Sequence, residues 1–183
     1  GIGYPEKHWE HRRRDYTPTH AQPLKNSGGG PDFTKVLETE ILPLIDAKFR
    51  TKNGSRSLLG HSLGGLFGAH LLINDSKLFD SYIISSPSIW WNNYAVLKNK
   101  PTKSLQHPAA VFLTVGSDEG NNMITSWDQL HDFVKQDASI AASKAVSLAG
   151  ENHASAKFRA YADGLRWLFG KDVQNKRLTK NTR

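Results

Sequence analysis

Three residues of this chain have the types and the order needed to transfer an acyl group. Ser62 lies in Gly60-His61-Ser62-Leu63-Gly64, between the apolar run Ser57-Leu58-Leu59 and the small-residue segment Gly65-Leu66-Phe67-Gly68. A G-x-S-x-G pattern in a strand–turn–helix setting exposes its serine hydroxyl above a sheet. The hydroxyl is a weak nucleophile until a base takes its proton and an acid orients that base. On such a sheet the acid and then the histidine follow the serine in the chain. Val115-Gly116-Ser117-Asp118-Glu119-Gly120 supplies carboxylates, and Leu148-Ala149-Gly150-Glu151-Asn152-His153 supplies a histidine, each just after an apolar run. The residues alone leave the acid open between Asp118 and Glu119, with loop charge or helix capping as the other use of each. His153 could equally cap the next helix, but no other histidine occupies such a position.

The turn makes further demands. Gly60 and Gly64 are expected to clear space where strand and helix backbones meet. Leu63, opening the helix, is expected to offer its amide to an oxyanion. His61, next to the nucleophile in sequence, is expected to point away from it and pack. The other histidines show no paired ligand spacing, so neither a metal nor a cofactor is called for.

The elements that must position these groups alternate. Short strands are predicted at Ser55–Leu59, Tyr82–Ser85, Ala110–Val115 and Ala145–Leu148. Helices are predicted after the elbow to about Ile73, over Thr125–Val134 and over Ala154–Phe169. Phe33, Val36, Leu37, Ile41, Leu44, Ile45 and Phe49 recur at helical spacing, with Pro43 breaking that helix near Ile41-Leu42. Residues 1–31, with four prolines and Gly28-Gly29-Gly30, read as an extended loop containing an ordered turn at Asp15-Tyr16-Thr17-Pro18-Thr19. Residues 171–183 read as a basic tail, so residues 1–170 form one domain. Strand–helix alternation predicts an α/β fold, a mostly parallel, doubly wound sheet with helices on both faces. The serine, carboxylate and histidine loops then open on one edge of the sheet, where ligands bind.

Composition narrows the class. The 183 residues, 38% hydrophobic and 22% charged, suit one soluble globular domain. No apolar run is long enough to span a membrane, and the absence of cysteine excludes disulfides without deciding between cytoplasm and periplasm. The net charge of +7 gathers partly in His11-Arg12-Arg13-Arg14 and in the tail. With no recognition motif beside it, it reads as solvated basic ends, not as a nucleic-acid surface. Oligomeric state is not legible.

Arg14-Asp15-Tyr16-Thr17-Pro18-Thr19, Glu40-Ile41-Leu42-Pro43-Leu44-Ile45, Leu59 to Phe67, Ser86-Pro87-Ser88-Ile89-Trp90-Trp91 and Gly150-Glu151-Asn152-His153 together resemble the Putative esterase branch of the α/β hydrolases. That branch includes the enterobactin-type siderophore esterases. The resemblance implies an α/β-hydrolase fold, a Ser62 nucleophile, a His153 base and Glu119 as the acid, with Asp118 second. It also implies a second oxyanion amide at Gly3 or Tyr4. Members carry further strands ahead of the position of Gly1, so the chain corresponds to the C-terminal portion of that fold. The expected activity is hydrolysis of a small-molecule carboxylic ester through an acyl-enzyme. An acyltransferase on the same residues and a non-catalytic remnant are the alternatives. Trp90 and Trp91 are expected to wall the site or pack in the core, and Arg14, with Arg12 and Arg13, to meet an anionic substrate or pair on the surface.

Overall fold

The computed structural model describes residues 8–52, 55–74, 77–98, 109–137 and 140–170. Strands β1 (Ser57–His61), β2 (Ser81–Ser85), β3 (Ala110–Gly116) and β4 (Ala142–Leu148) pair in parallel, in that order. Every residue of β2 and β3 is buried, as befits strands covered on both faces. Successive side chains alternate across the sheet. Tyr82, Ile84, Val111 and Leu113 enter the larger core, with Leu66 of α4 (Leu63–Ile73) and Leu130 of α6 (Asn121–Gln136). Ile83 and Phe112 point the other way, onto Leu168 of α7 (Ala156–Phe169). Helices α4 and α6, which connect successive strands, both pack on this larger core, as crossovers of one hand between sequential neighbours require. The helix that follows the last strand is left to cover the other. The fold is α/β with helices on both faces, as the alternation predicts.

Three segments differ from the sequence reading. Residues 8–16 lie in the predicted loop but form α1 (His8–Tyr16), a helix with no buried residue. Its charged sequence lacks the apolar period that marks a helix, yet no glycine or proline interrupts it between Pro5 and Pro18. The turn after it is knotted by buried Thr17, whose Oγ1 donates to the Arg13 carbonyl at 2.7 Å and accepts from the Gly28 N–H at 2.7 Å. Next, α2 (Gly30–Val36) runs through a π turn at Leu37–Ile41 into α3 (Leu42–Lys48), where Pro43 sits in the first turn. The wide turn absorbs the helical bond that proline cannot donate. Phe33 and Leu37 pack on the core, whereas Ile41, Leu44, Ile45 and Phe49 at the distal end of the predicted face are exposed.

The third difference follows β2. Helix α5 (Trp91–Lys98) begins with Asn92, Asn93 and Tyr94 at φ 46°, 55° and 61°, a left-handed run that no helical period announces. It is tied to the Thr17 turn: Trp91 Nε1–H donates to the Thr19 carbonyl at 3.0 Å and Asn92 Nδ2–H to Thr19 Oγ1 at 2.9 Å. Among the described residues β1 has one strand neighbour, so the serine-bearing strand is an edge, with Leu59 partly exposed.

Helix α7 approaches β2 through Gly164, where a Cβ would stand 2.8 Å from the Ile83 side chain. Gly164→Val should therefore destabilise the fold by about 1–3 kcal/mol, read as a lower urea midpoint with an unchanged m value.

Candidate active site

Ser62 stands between β1 and α4 at φ 60°, ψ −119°, a conformation that costs a non-glycine residue energy and must be held by its surroundings. Three bonds hold it. Its N–H donates to the Ser85 carbonyl at 3.1 Å, and its carbonyl accepts from the N–H groups of Leu66 at 2.9 Å and Ser88 at 3.2 Å. At Gly60 a Cβ would lie 2.2 Å from the Gly64 carbonyl oxygen, so the expected steric role holds there. It does not hold at Gly64, which faces the cavity and has nothing within 4 Å of a would-be Cβ. Gly65 takes that role, with Pro87 Cα 3.1 Å away. Leu63 is the first residue of α4, so its N–H precedes the helical ladder at the positive end of the helix dipole.

The two carboxylates diverge. Asp118 is exposed and accepts from Ser117 Oγ–H at 2.7 Å. The Glu119 side chain is inaccessible to solvent and its Oε2 lies 2.6 Å from His153 Nδ1. Glu119 Oε1 accepts from Ser86 Oγ–H at 2.5 Å and from the Gly116 N–H at 2.8 Å. Burial acts to raise the pKa of this carboxyl, but the bonds from His153, Ser86 and Gly116 outweigh it and hold it below the usual carboxylate value. The carboxylate is therefore charged, and it fixes the imidazole with Nδ1–H toward the acid and Nε2 free.

Ser62 and His153 line one cavity of about 660 Å³. Ser62 Oγ lies 3.4 Å from Ser88 Oγ and makes no hydrogen bond to His153 in this conformation. Such bonds are commonly long before substrate binds. His61 lines the cavity together with Ser62, and its ring faces that of His153, the two imidazole centroids 4.6 Å apart. Its Nδ1 lies 3.2 Å from Ser85 Oγ. Burial, with His153 as the next cause, lowers its pKa to about 4.

The remaining candidates lie elsewhere. Trp91 is buried in the core, and Trp90 donates its backbone N–H to Ser126 Oγ; neither lines the cavity. Arg14 pairs with Asp15 at 2.6 Å and also lies outside it. Gly3 and Tyr4 fall outside the described residues. The cavity is instead lined by Trp9, Arg12 and Tyr16 of α1 and by Lys157 of α7. The spacing Trp9, Arg12, Tyr16 is that of one helix face, a signal available in the sequence once residues 8–16 are read as helix. The Arg12 guanidinium stands 5.4 Å from the Trp9 ring and 5.8 Å from that of Tyr16. Its Nε is buried without a hydrogen-bond partner among the described residues. Among those residues, no group of three or more His, Cys, Asp or Glu gathers as a metal site.

Residues 2–165 match the Putative esterase family, and the chain belongs to it. The siderophore triacetylfusarinine C esterase of Aspergillus fumigatus is 37% identical over 134 residues, 69% of this chain and 43% of that protein. Ferri-bacillibactin esterase BesA of Bacillus subtilis is 28% identical over 176 residues, 85% of this chain and 61% of that one. The crystal structure of the BES protein from Bacillus cereus superposes with a TM-score of 0.79 at 36% identity, covering 91% of this chain and 67% of that one. The two curated relatives are esterases by name, the first of a siderophore. The chain spans 43% and 61% of the length of the two curated relatives.

The neutral His61 has a consequence for stability. Its pKa of about 4, against an ordinary 6.5, means that the unfolded chain binds the proton more tightly. Its contribution is complete above pH 6.5 and is lost as pH falls toward 4. Allowing for partial exposure, the loss is about 1–2 kcal/mol. His70, whose pKa burial also lowers, adds a loss of the same sign, so urea unfolding at pH 7 and pH 4.5 should show at least this difference, and His61→Phe should reduce it by the His61 share.

Proposed function

We propose that this chain hydrolyses a carboxylic ester of the siderophore type through an acyl-enzyme on Ser62, with His153 as base and Glu119 as its orienting acid. The observation that carries the reading is the buried Glu119 carboxylate 2.6 Å from His153 Nδ1, on the cavity that holds Ser62. A rotation about the Ser62 side chain brings its hydroxyl toward the free Nε2 of His153. The base takes the proton as Oγ attacks the ester carbonyl, and the charge that appears on His153 faces a carboxylate already in place. The Leu63 N–H stabilises the oxyanion, and the second donor falls to Gly3 or Tyr4. His153 then protonates the leaving alkoxide. Water, deprotonated by the same imidazole, releases the acid and restores Ser62.

The cavity lining supports an anionic ester. Arg12 stands beside the aromatic faces of Trp9 and Tyr16, Lys157 adds a second cation to the same lining, and the relatives act on siderophores by name. An anionic siderophore ester, such as a ferric catecholate, is the substrate class to test, together with p-nitrophenyl acetate. Added alcohol acceptors separate hydrolysis from acyl transfer.

The test is fluorophosphonate labelling and ester hydrolysis by the chain and its variants. Ser62→Ala and His153→Ala should each abolish labelling and lower kcat by at least about 10³-fold. Glu119→Gln should lower kcat by about 10²–10⁴-fold, whereas Asp118→Asn should leave it unchanged. A cooperatively folded parent that takes up no probe overturns the reading and leaves the chain a non-catalytic member of its family.

A further inference from the structure

We propose that His61, the variable position inside the elbow, is a positioning residue for His153, its ring forming the wall that holds the plane of the base. The inference rests on the reading of His153 as the base. Glu119 binds one atom of the His153 ring, Nδ1. A single hydrogen bond leaves the imidazole free to swing about that point, and the His153 side chain is 46% exposed on its loop. The one ring packed against it, among the described residues, is His61, at 4.6 Å and tilted by 39°. A flat face at that distance opposes the remaining rotation by excluding the volume into which the imidazole would turn.

His61 is itself firmly placed. It is the last residue of β1, in register with Ser85 of β2, and its Nδ1 lies 3.2 Å from Ser85 Oγ. Ser85 is fully buried, and its carbonyl accepts the Ser62 N–H. One residue of the inner strand thus anchors both the nucleophile's backbone and the ring behind the base, so that serine and imidazole share a reference point. The arrangement also requires an uncharged wall. A cation at this spacing would oppose the imidazolium formed during proton transfer. The groups facing His61 are His153, Glu119 from the loop after β3 and Lys157 from α7. Burial and the charges of His153 and Lys157 favour the neutral ring, while Glu119 and a hydrogen bond to the His153 backbone oppose them.

Three variants test this. His61→Phe keeps a flat ring, His61→Ala removes it, and His61→Leu fills volume without a flat face in case the alanine variant does not fold. The readouts are kcat and KM on p-nitrophenyl acetate, and the NMR resonance of the His153 Nδ1 proton bonded to Glu119. The resonance needs no turnover. Loss of the ring should lower kcat by about 10–100-fold with KM little changed, and should broaden the resonance beyond detection. His61→Phe should hold kcat to within about threefold of the parent and keep the resonance sharp. The proposal is overturned if the ring-less variants keep both kcat and the resonance. It is overturned equally if His61→Phe folds but fails as they do, since the Ser85 contact would then be the feature that matters. A parent without esterase activity or probe uptake overturns the hydrolase reading instead, and the resonance still decides whether His61 fixes His153.

Discussion

A carboxylate removed from water must find its compensation in donors, and Glu119 finds it in three different segments. Its side chain has no exposed surface, and its partners are the Gly116 N–H at the end of β3, the Ser86 hydroxyl after β2 and His153 after β4. Leaving any of these unmade would strand a charge in a low-dielectric interior. The C-terminal loops of three neighbouring strands are therefore held in mutual register by one side chain. The same bonds that make the buried charge tolerable also select the imidazole tautomer with Nε2 free.

The parallel sheet makes this economy possible. With strand order following chain order, four consecutive C-terminal ends lie side by side, and each loop reaches its neighbour without a long connection. The serine, the Ser86–Ser88 turn, the Glu119 loop and the His153 loop follow one another across the edge as they do along the chain. Ser62 can hold its unfavourable φ because Ser85 and Ser88, on that adjacent strand and turn, bind its backbone from both sides. Strain at Ser62 is thus supported by the most completely buried part of the sheet. The serine strand itself lies at the edge of the described sheet, and the cavity opens along it.

Much of this was legible because it is local. Short apolar runs gave the four strands, and the elbow pattern with the order serine, carboxylate, histidine gave the loops that converge. What was not legible depends on contacts between distant segments. Asp118 and Glu119 are adjacent in one turn and the residues alone left both open; the resemblance put Glu119 first, and the packing of that turn against Gly116 and Glu151 is what turns it to His153. Helix α1 hid behind its charge, and with it the face carrying Trp9, Arg12 and Tyr16. Trp90 and Trp91 drew notice as large aromatics near the site. Yet the left-handed turn that follows them fastens Trp91 to the Thr17 knot and away from the cavity. Gly64 shows the converse: a residue required by a pattern, with open space where crowding was expected.

The distance left between Ser62 and His153 has a particular meaning in this setting. The imidazole is bound at Nδ1 and faced by His61, and the elbow backbone is held by three hydrogen bonds, so both loops are tied down around the gap. The freedom that remains is the Ser62 side-chain torsion, opposed only by a 3.4 Å contact with Ser88, too long to be a strong hydroxyl–hydroxyl bond. Turning a side chain is fast and inexpensive compared with moving a loop. On the proposed mechanism, the costly ordering of charge, tautomer and backbone is met on folding, and a serine rotamer is what responds to substrate.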